Sequence, residues 1–216
     1  MTVPEPSEPS SGRSRAVGTQ GATVDGRVAS LIEAVRAHGT VDEREALSRA
    51  IILAELGRLS RPFDEDADLT HVTASAIVVG SRGVVLHRHR RLHRWMQPGG
   101  HVESGEPPSD AALRECVEET GIPVAHPPGG PILAHVDVHT AARDHVHLDL
   151  RYLALGSDVA PVPPPGESQE VAWFSWEDAL NIADDSLAGG LRSARRLIAA
   201  SAGPDAGPEV HGREDP

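Results

Sequence analysis

Three glutamates, Glu115, Glu118 and Glu119, crowd into the end of a segment reading GHVESGEPPSDAALRECVEETGI, from Gly100 to Ile122. This segment limits the fold more than any other stretch of the chain. Pro108 opens a run with helical spacing and Gly121 stops it, so the pattern predicts a helix over Pro108–Thr120. At about 3.6 residues per turn the three glutamates share one face. Ala111 and Ala112 lie behind them on nearly the same face, small enough to let a ligand approach. Leu113, Cys116, Val117 and Thr120 point the other way, towards a core. Such a helix works against itself. A like-charged pair at i,i+4 costs about 0.2–0.5 kcal/mol, and the last turn faces the negative end of the helix dipole. Rule-breaking of this kind is expected at functional sites. A divalent cation such as Mg²⁺ or Mn²⁺ would relieve it, because converging carboxylates are hard oxygen ligands. For the glutamates taken alone, a solvated acidic face is the competing account.

The surrounding spacing decides between them. The segment resembles the signature of the Nudix hydrolase family, G-x5-E-x7-R-E-U-x-E-E-x-G-U with U apolar, through Gly100, Glu106, Arg114, Glu115, Cys116, Glu118, Glu119, Gly121 and Ile122. Cys116 stands at an apolar position, where a buried cysteine serves as a small hydrophobe. The resemblance implies an α/β fold, an α/β/α sandwich around a mixed sheet. It implies that Glu115, Glu118 and Glu119 bind Mg²⁺ (or Mn²⁺), joined by the backbone carbonyl of Gly99. It further implies that Arg114 orients these carboxylates, with Glu106 as its partner through a charge-assisted hydrogen bond. The reaction implied is hydrolysis of a nucleoside diphosphate linked to another moiety. A polyanionic diphosphate needs its charge neutralised before water can attack phosphorus, and bridging cations do this. In several members a glutamate on the loop before the final strand takes the proton from water. Here that loop runs from Pro163 to Glu170, with Glu167 on its free part and Glu170 closer to the strand Val171–Phe174. Two more stretches, Pro62-Phe63-Asp64 with His71–Ser75, and Trp95–Glu103, resemble a subgroup with an N-terminal helical extension. The features that mark coenzyme A, ADP-ribose and dinucleoside polyphosphate hydrolases are missing, and Asp137-Val138-His139 occupies part of that region.

Around this segment the periodicity changes along the chain. Residues 1–25 and 203–216 are rich in Pro, Ser and Gly without periodicity and are expected to be disordered. Between them, residues 26–60 read as a helical hairpin. Val28, Leu31, Ile32 and Val35 form its first stripe, and Thr40 or Asp42 caps a second helix carrying Ala46, Leu47, Ile51, Leu53, Ala54 and Leu56 as its apolar stripe. Residues 61–202 then form the main domain. Its strands are expected near Val72–Val79, Gly83–His87, Ile132–Val138, His145–Ala154 and Val171–Phe174, and its last helices at Glu177–Ile182 and Leu187–Ala199.

Of 216 residues, 32 are acidic and 20 are basic, every base an arginine, for a net charge of −12. That balance argues against a nucleic-acid duplex or an anionic membrane as partner. The single cysteine, Cys116, and the lack of an apolar leader suit a cytoplasmic protein. Arg88 and Arg90, with Arg91 and Arg94, crowd the approach to the signature, where an arginine could clamp a phosphate. His147 and Asp149 share a strand face that could reach substrate. The pairs His87/His89 and His145/His147 could each hold zinc, but no cysteine or third histidine sits at standard spacing. Trp95, Trp173, Phe174 and Trp176 could stack on a base, or fill the core of a chain that is 3% aromatic. Glu103 is a further acid near the signature. Two functions follow: a Mg²⁺-dependent pyrophosphohydrolase of a small nucleotide or nucleotide derivative, or a nucleotide-binding sensor or scaffold of the same fold without turnover. A homodimer that uses the N-terminal helices is a further expectation.

Overall fold

The computed structural model describes residues 26–201. The expectations for residues 1–25 and 203–216 lie outside them. Two helices come first, α1 (Gly26–Ala37) and α2 (Glu43–Arg58), followed by strands β1 (Thr70–Gly80), β2 (Gly83–Arg88), β3 (Trp95–Met96) and β4 (Gly99–His101). The signature helix is α3 (Pro108–Thr120). After it come β5 (Val124–Ala125), β6 (Ile132–Thr140), β7 (Val146–Gly156) and β8 (Val171–Phe174), then α4 (Trp176–Ile182) and α5 (Asp185–Ser201). No helix among the described residues is long and apolar enough to cross a membrane.

The sheet is mixed. β1 and β7 run parallel at its centre, and every other pairing is antiparallel. Alternation along β1 gives it two inner faces. Val72, Ala74, Ala76 and Val78 join Leu148, Leu150, Tyr152 and Ala154 of β7 beneath α1, α2 and α3. Ile77 and Val79 join Leu153 beneath α4 and α5. The result is an α/β/α sandwich.

The second helix sits differently from its apolar pattern. Asp42 caps α2 by accepting from the Glu45 amide at 2.9 Å. Its buried residues, however, are Glu45, Ser48, Ile52 and Leu56, while Leu47 and Ile51 face solvent. The reason is the edge strand. Among the described residues β6 pairs only with β7, and its outward amides need acceptors. The Val136 amide donates to Glu45 Oε1 at 3.1 Å and the Val138 amide to Ser48 Oγ at 3.2 Å. Polar side chains on α2 therefore turn inward. On α3 the reading also shifts: Ala111 and Ala112 are fully buried against the sheet instead of lining a ligand face, and Val117 is 45% exposed. His145 precedes β7 and is not part of the strand.

Beside Glu45 lies His135, 1% exposed, with its Nε2 3.8 Å from Glu45 Oε1. Burial, then the Arg151 charge, pushes its pKa down to about 4, against a pull upward from Glu45, Asp137 and Asp149. Folding thus favours the neutral ring, and that contribution is present above the unfolded value near 6.5 and lost as pH falls from there through about 4. Between pH 6.5 and 4.5 the urea midpoint should fall. His135→Asn should flatten that fall, the wild-type histidine accounting for roughly 2–4 kcal/mol once fully titrated. Equal slopes for the two proteins would exclude His135 as the source.

Candidate active site

α3 starts on Pro107-Pro108, where the missing proline amides cost nothing, and ends at Gly121 in the left-handed region at φ 67°. Its last carbonyl does not go to solvent: the Val162 amide donates to Thr120 O at 3.0 Å. The Pro-rich loop before β8 is thereby fastened to the end of the glutamate helix.

Arg114 organises the glutamates. Its Nε and one terminal amine form a two-pronged pair with Glu106, both at 3.0 Å. The other terminal amine donates to Glu115 at 2.8 Å and Glu118 at 3.0 Å, and the last donor goes to His101 O at 2.9 Å. All five guanidinium N–H groups are used. The hydrogen bonds to Glu106 lead in pushing the guanidinium's pKa further up. Burial pulls Glu106 upward, but Arg114 and the Glu103 amide together hold it below its ordinary value. Glu106 and Arg114 thus each favour the charged form of the other.

The remaining carboxylates are left poorly compensated. Glu115 packs on Gly100, where an added Cβ would fall 2.6 Å from its carboxyl carbon, so a side chain there would push the carboxylate out of its place. Burial raises its pKa in spite of Arg114. Glu119 accepts from the Gly99 amide at 2.8 Å. Even so, burial first, and then repulsion from Glu115, Glu167 and Glu118, pushes it up to about 8. A proton there stands in for a missing positive charge. A hard divalent cation fits this donor set: three carboxylates from one helix face, one with no cation of its own.

Residues 69–195 match the family model of the NUDIX domain. The chain belongs to the Nudix family. It is 30% identical over 128 residues to the probable DHNTP pyrophosphohydrolase of Lactococcus lactis subsp. cremoris (strain MG1363), covering 57% of this chain and 76% of that protein. It is 37% identical over 100 residues to the RNA pyrophosphohydrolase of Roseobacter denitrificans, covering 45% of this chain and 51% of the other. A Nudix-family hydrolase from Clostridium perfringens superposes with a TM-score of 0.51 at 28% identity, over 59% of this chain and 97% of that one. The chain is accordingly a hydrolase of phosphorus-containing anhydrides.

Around the Nudix glutamates, the other sequence candidates fall into two groups. Glu167 is exposed and lies near enough to Glu119 to raise its pKa. Arg88 donates to Glu170 at 3.0 Å and Arg90 to Gly166 O, so both arginines hold the loop that carries Glu167. His147 and Asp149 lie elsewhere. Asp149 is buried and accepts from Ser75, Gln97 and Arg151. Arg151 also reaches Asp137, which Arg44 binds from outside. Trp95 and Phe174 pack edge to face at 4.8 Å, and Trp173 donates to Val159 O. Sequence spacing offers His87 only as a zinc pair with His89, not as a neighbour of Glu119. His87 is 4% exposed, its Nδ1 is 3.7 Å from Glu119 Oε1, and burial with its His89 neighbour pushes its pKa down to about 4. Cross-strand pairing sets His87 opposite Met96 of β3 and Val171 of β8, an arrangement that no local spacing announces.

A cleft of about 300 Å³ opens away from the glutamates, lined by Arg44, Arg94, Gln97, Asp137, Arg151 and Asp184 among others. Arg44 and Arg94 are each neutralised, by Asp137 and Asp184. None of the α3 glutamates lines it. Two substitutions separate the charges on α3. In chelator, Arg114→Met should cost roughly 2–4 kcal/mol in urea unfolding, by leaving partly buried carboxylates uncompensated. Glu118→Gln, which removes a like charge, should leave stability unchanged or slightly raised. A large loss in Glu118→Gln would contradict this account of the cluster.

Proposed function

We propose that the chain is a Mg²⁺-dependent pyrophosphohydrolase that cleaves a nucleoside diphosphate linked to another moiety, acting on a small nucleotide in the cytoplasm. The observation that carries the reading is the Glu115–Glu118–Glu119 cluster held by Arg114, with no arginine paired to Glu119 among the described residues. Glu115, Glu118 and Glu119, with the Gly99 carbonyl, would hold the cation. When bound, it neutralises the diphosphate and polarises the phosphorus–oxygen bonds. The protein's own groups do the rest. Arg114 fixes two carboxylates by hydrogen bonds and keeps its charge at every working pH, so their geometry is set before substrate arrives. Glu106 anchors Arg114 in turn.

Glu167 is the base in this reading. It is exposed, close to Glu119, and free of the ion pair that holds Glu170 to Arg88. It would take the proton from the attacking water, while Arg88 and Arg90 keep its loop in place. The intact cluster favours turnover over a sensor, which has no need of three glutamates plus Arg114. The net charge of −12 favours a small substrate over a long polyanion.

The test is product release from a panel of nucleotides, nucleotide derivatives and a 5′-triphosphorylated RNA, with and without Mg²⁺. Small nucleotides should be cleaved, and only with the cation. Preference for the RNA would overturn the substrate class, and equal rates with Ca²⁺ and Mg²⁺ would count against the mechanism, because calcium's looser coordination positions groups less well. Glu118→Gln or Glu119→Gln should abolish most turnover at limiting Mg²⁺ in a folded protein. Glu167→Gln should lower kcat by about a hundredfold with little change in metal affinity, the size expected for a positioned base, and Glu170→Gln should do less. Near-normal kcat in both loop variants would move the base into the helix, to Glu118 first.

A further inference from the structure

Alternation along the strands sorts the polar residues of this sheet by face. Gly100 of β4 faces Glu115 on α3, so His101 beside it faces the opposite side. His101 is directly cross-strand from Thr73 on β1, two residues from His71 and on the same face. His71 pairs with His147 on β7, and His147 with His139 on β6. Register alone therefore brings histidines from β1, β4, β6 and β7 to one end of the face turned away from the Nudix glutamates.

The side chains close the group. The His71 ring is centred 5.1 Å from His101 and 5.0 Å from His147, and those two are 5.5 Å apart. One ring nitrogen from each of His71, His101 and His147 lies within 4.8 Å of the other two. Tetrahedral zinc, at about 2.0–2.1 Å from each imidazole nitrogen, needs them about 3.4 Å apart. Ring rotations of about an ångström would close that gap. The second observation is His71 itself. It is 1% exposed, and among the described residues neither ring nitrogen makes a well-aligned hydrogen bond. The Asp68 backbone lies beside the ring without the geometry of one. Buried polar atoms left so are uncommon. A cation on one nitrogen, with the Asp68 backbone orienting the other, satisfies the ring in the way metal-bound histidines are usually held.

We infer that His71, His101 and His147 form a second metal centre, separate from the Nudix glutamates, that takes a divalent cation of the Zn²⁺ type. Glu65, whose Oε2 is 3.2 Å from His101 Nε2, is the adjacent carboxylate that offsets the cation's charge. Imidazole nitrogens select a borderline metal, whereas the oxygen ligands of α3 select Mg²⁺, so the two sites sort cations by ligand chemistry. His71 and His147 are also held towards the neutral form that binds metal. Burial leads in lowering His71, with His101 and His145 adding, and in pushing His147 down to about 3, with His139 and His71 adding.

The test uses the full chain without an affinity tag, stripped of metal and titrated with Zn²⁺ against a chromophoric chelator in excess Mg²⁺. Co²⁺ replaces Zn²⁺ in a parallel titration read by visible absorption. Wild type and Glu119→Gln should both take up stoichiometric Zn²⁺ and show the intense bands of tetrahedral, nitrogen-ligated Co²⁺. His71→Asn and His147→Asn should lose both signals. His101→Asn should lose them too, and because His101 is half exposed this variant keeps the test valid if the buried substitutions impair folding. Zinc uptake unchanged in His101→Asn and His147→Asn, uptake lost only in Glu119→Gln, or no uptake by wild type would each overturn the inference.

Discussion

A single guanidinium sets the geometry of the glutamate cluster on α3. Arg114 spends all five of its donors within one turn of α3 and the adjoining segment, on Glu106, Glu115, Glu118 and the His101 carbonyl. Without it, α3 would carry three glutamates on one face and none of the positive charge that its last turn requires. Arg114 compensates Glu115 and Glu118 but not Glu119, which lies against the Gly99 amide and is pushed up to about 8. The helix is therefore folded with one charge short. β4 passes directly against Ser75 on one side, which leaves no room for a side chain at Gly99, and against the Glu115 carboxylate on the other.

The same sheet solves a second problem, its exposed edge. β6 would offer unpaired amides to any passing strand. α2 covers that edge with Glu45 and Ser48, whose side chains accept from Val136 and Val138. Glu45 is completely buried and also accepts from the Val41 amide and pairs with His38 at 2.6 Å. On the inner side, Arg151 joins Asp137 and Asp149 across β6 and β7. Burial works to raise Asp137, yet His139, Arg151, Ser186 and Arg44 hold it well below the usual carboxylate range. The face under α3 is apolar and the far end of the other face is ionic. Reactive groups can thus gather at one end of the sheet without weakening the cores at the other.

What could be read from the sequence follows from how local each signal is. The limits of α3 are written in Pro107-Pro108 and Gly121, and the pairing of Glu106 with Arg114 in the spacing of the signature. The cap at Asp42 is equally local. The inward face of α2 was not legible, because hydrophobic spacing assumes an apolar target and α2 packs on strand amides. Ala111 and Ala112 look like room for a ligand in isolation, but their size instead lets α3 approach the sheet closely. Two-residue strands such as β3 and β5 have no periodicity to find. His87 and the His71–His101–His147 group are assembled by register between strands far apart in sequence, which spacing along one strand does not encode.

The loop from Pro161 to Glu170 shows how a flexible-looking segment acquires a defined position. Glu167 is exposed, and a side chain on a free loop would reach Glu119 only at an entropic cost. Two features reduce that cost. The Val162 amide is fixed on Thr120 O at the end of α3, and Arg88 holds Glu170 at the start of β8. Between these anchors stand Pro163, Pro164 and Pro165, whose rings restrict φ and leave few alternatives to lose on folding. The Glu167 amide donates back to Pro164 O at 3.2 Å, closing the turn. The helix that carries Glu119 therefore also carries, through one carbonyl and a stiff proline run, the segment that presents Glu167. Displacing the end of α3 would displace both carboxylates together, so their relative position is a property of the fold and not of the loop.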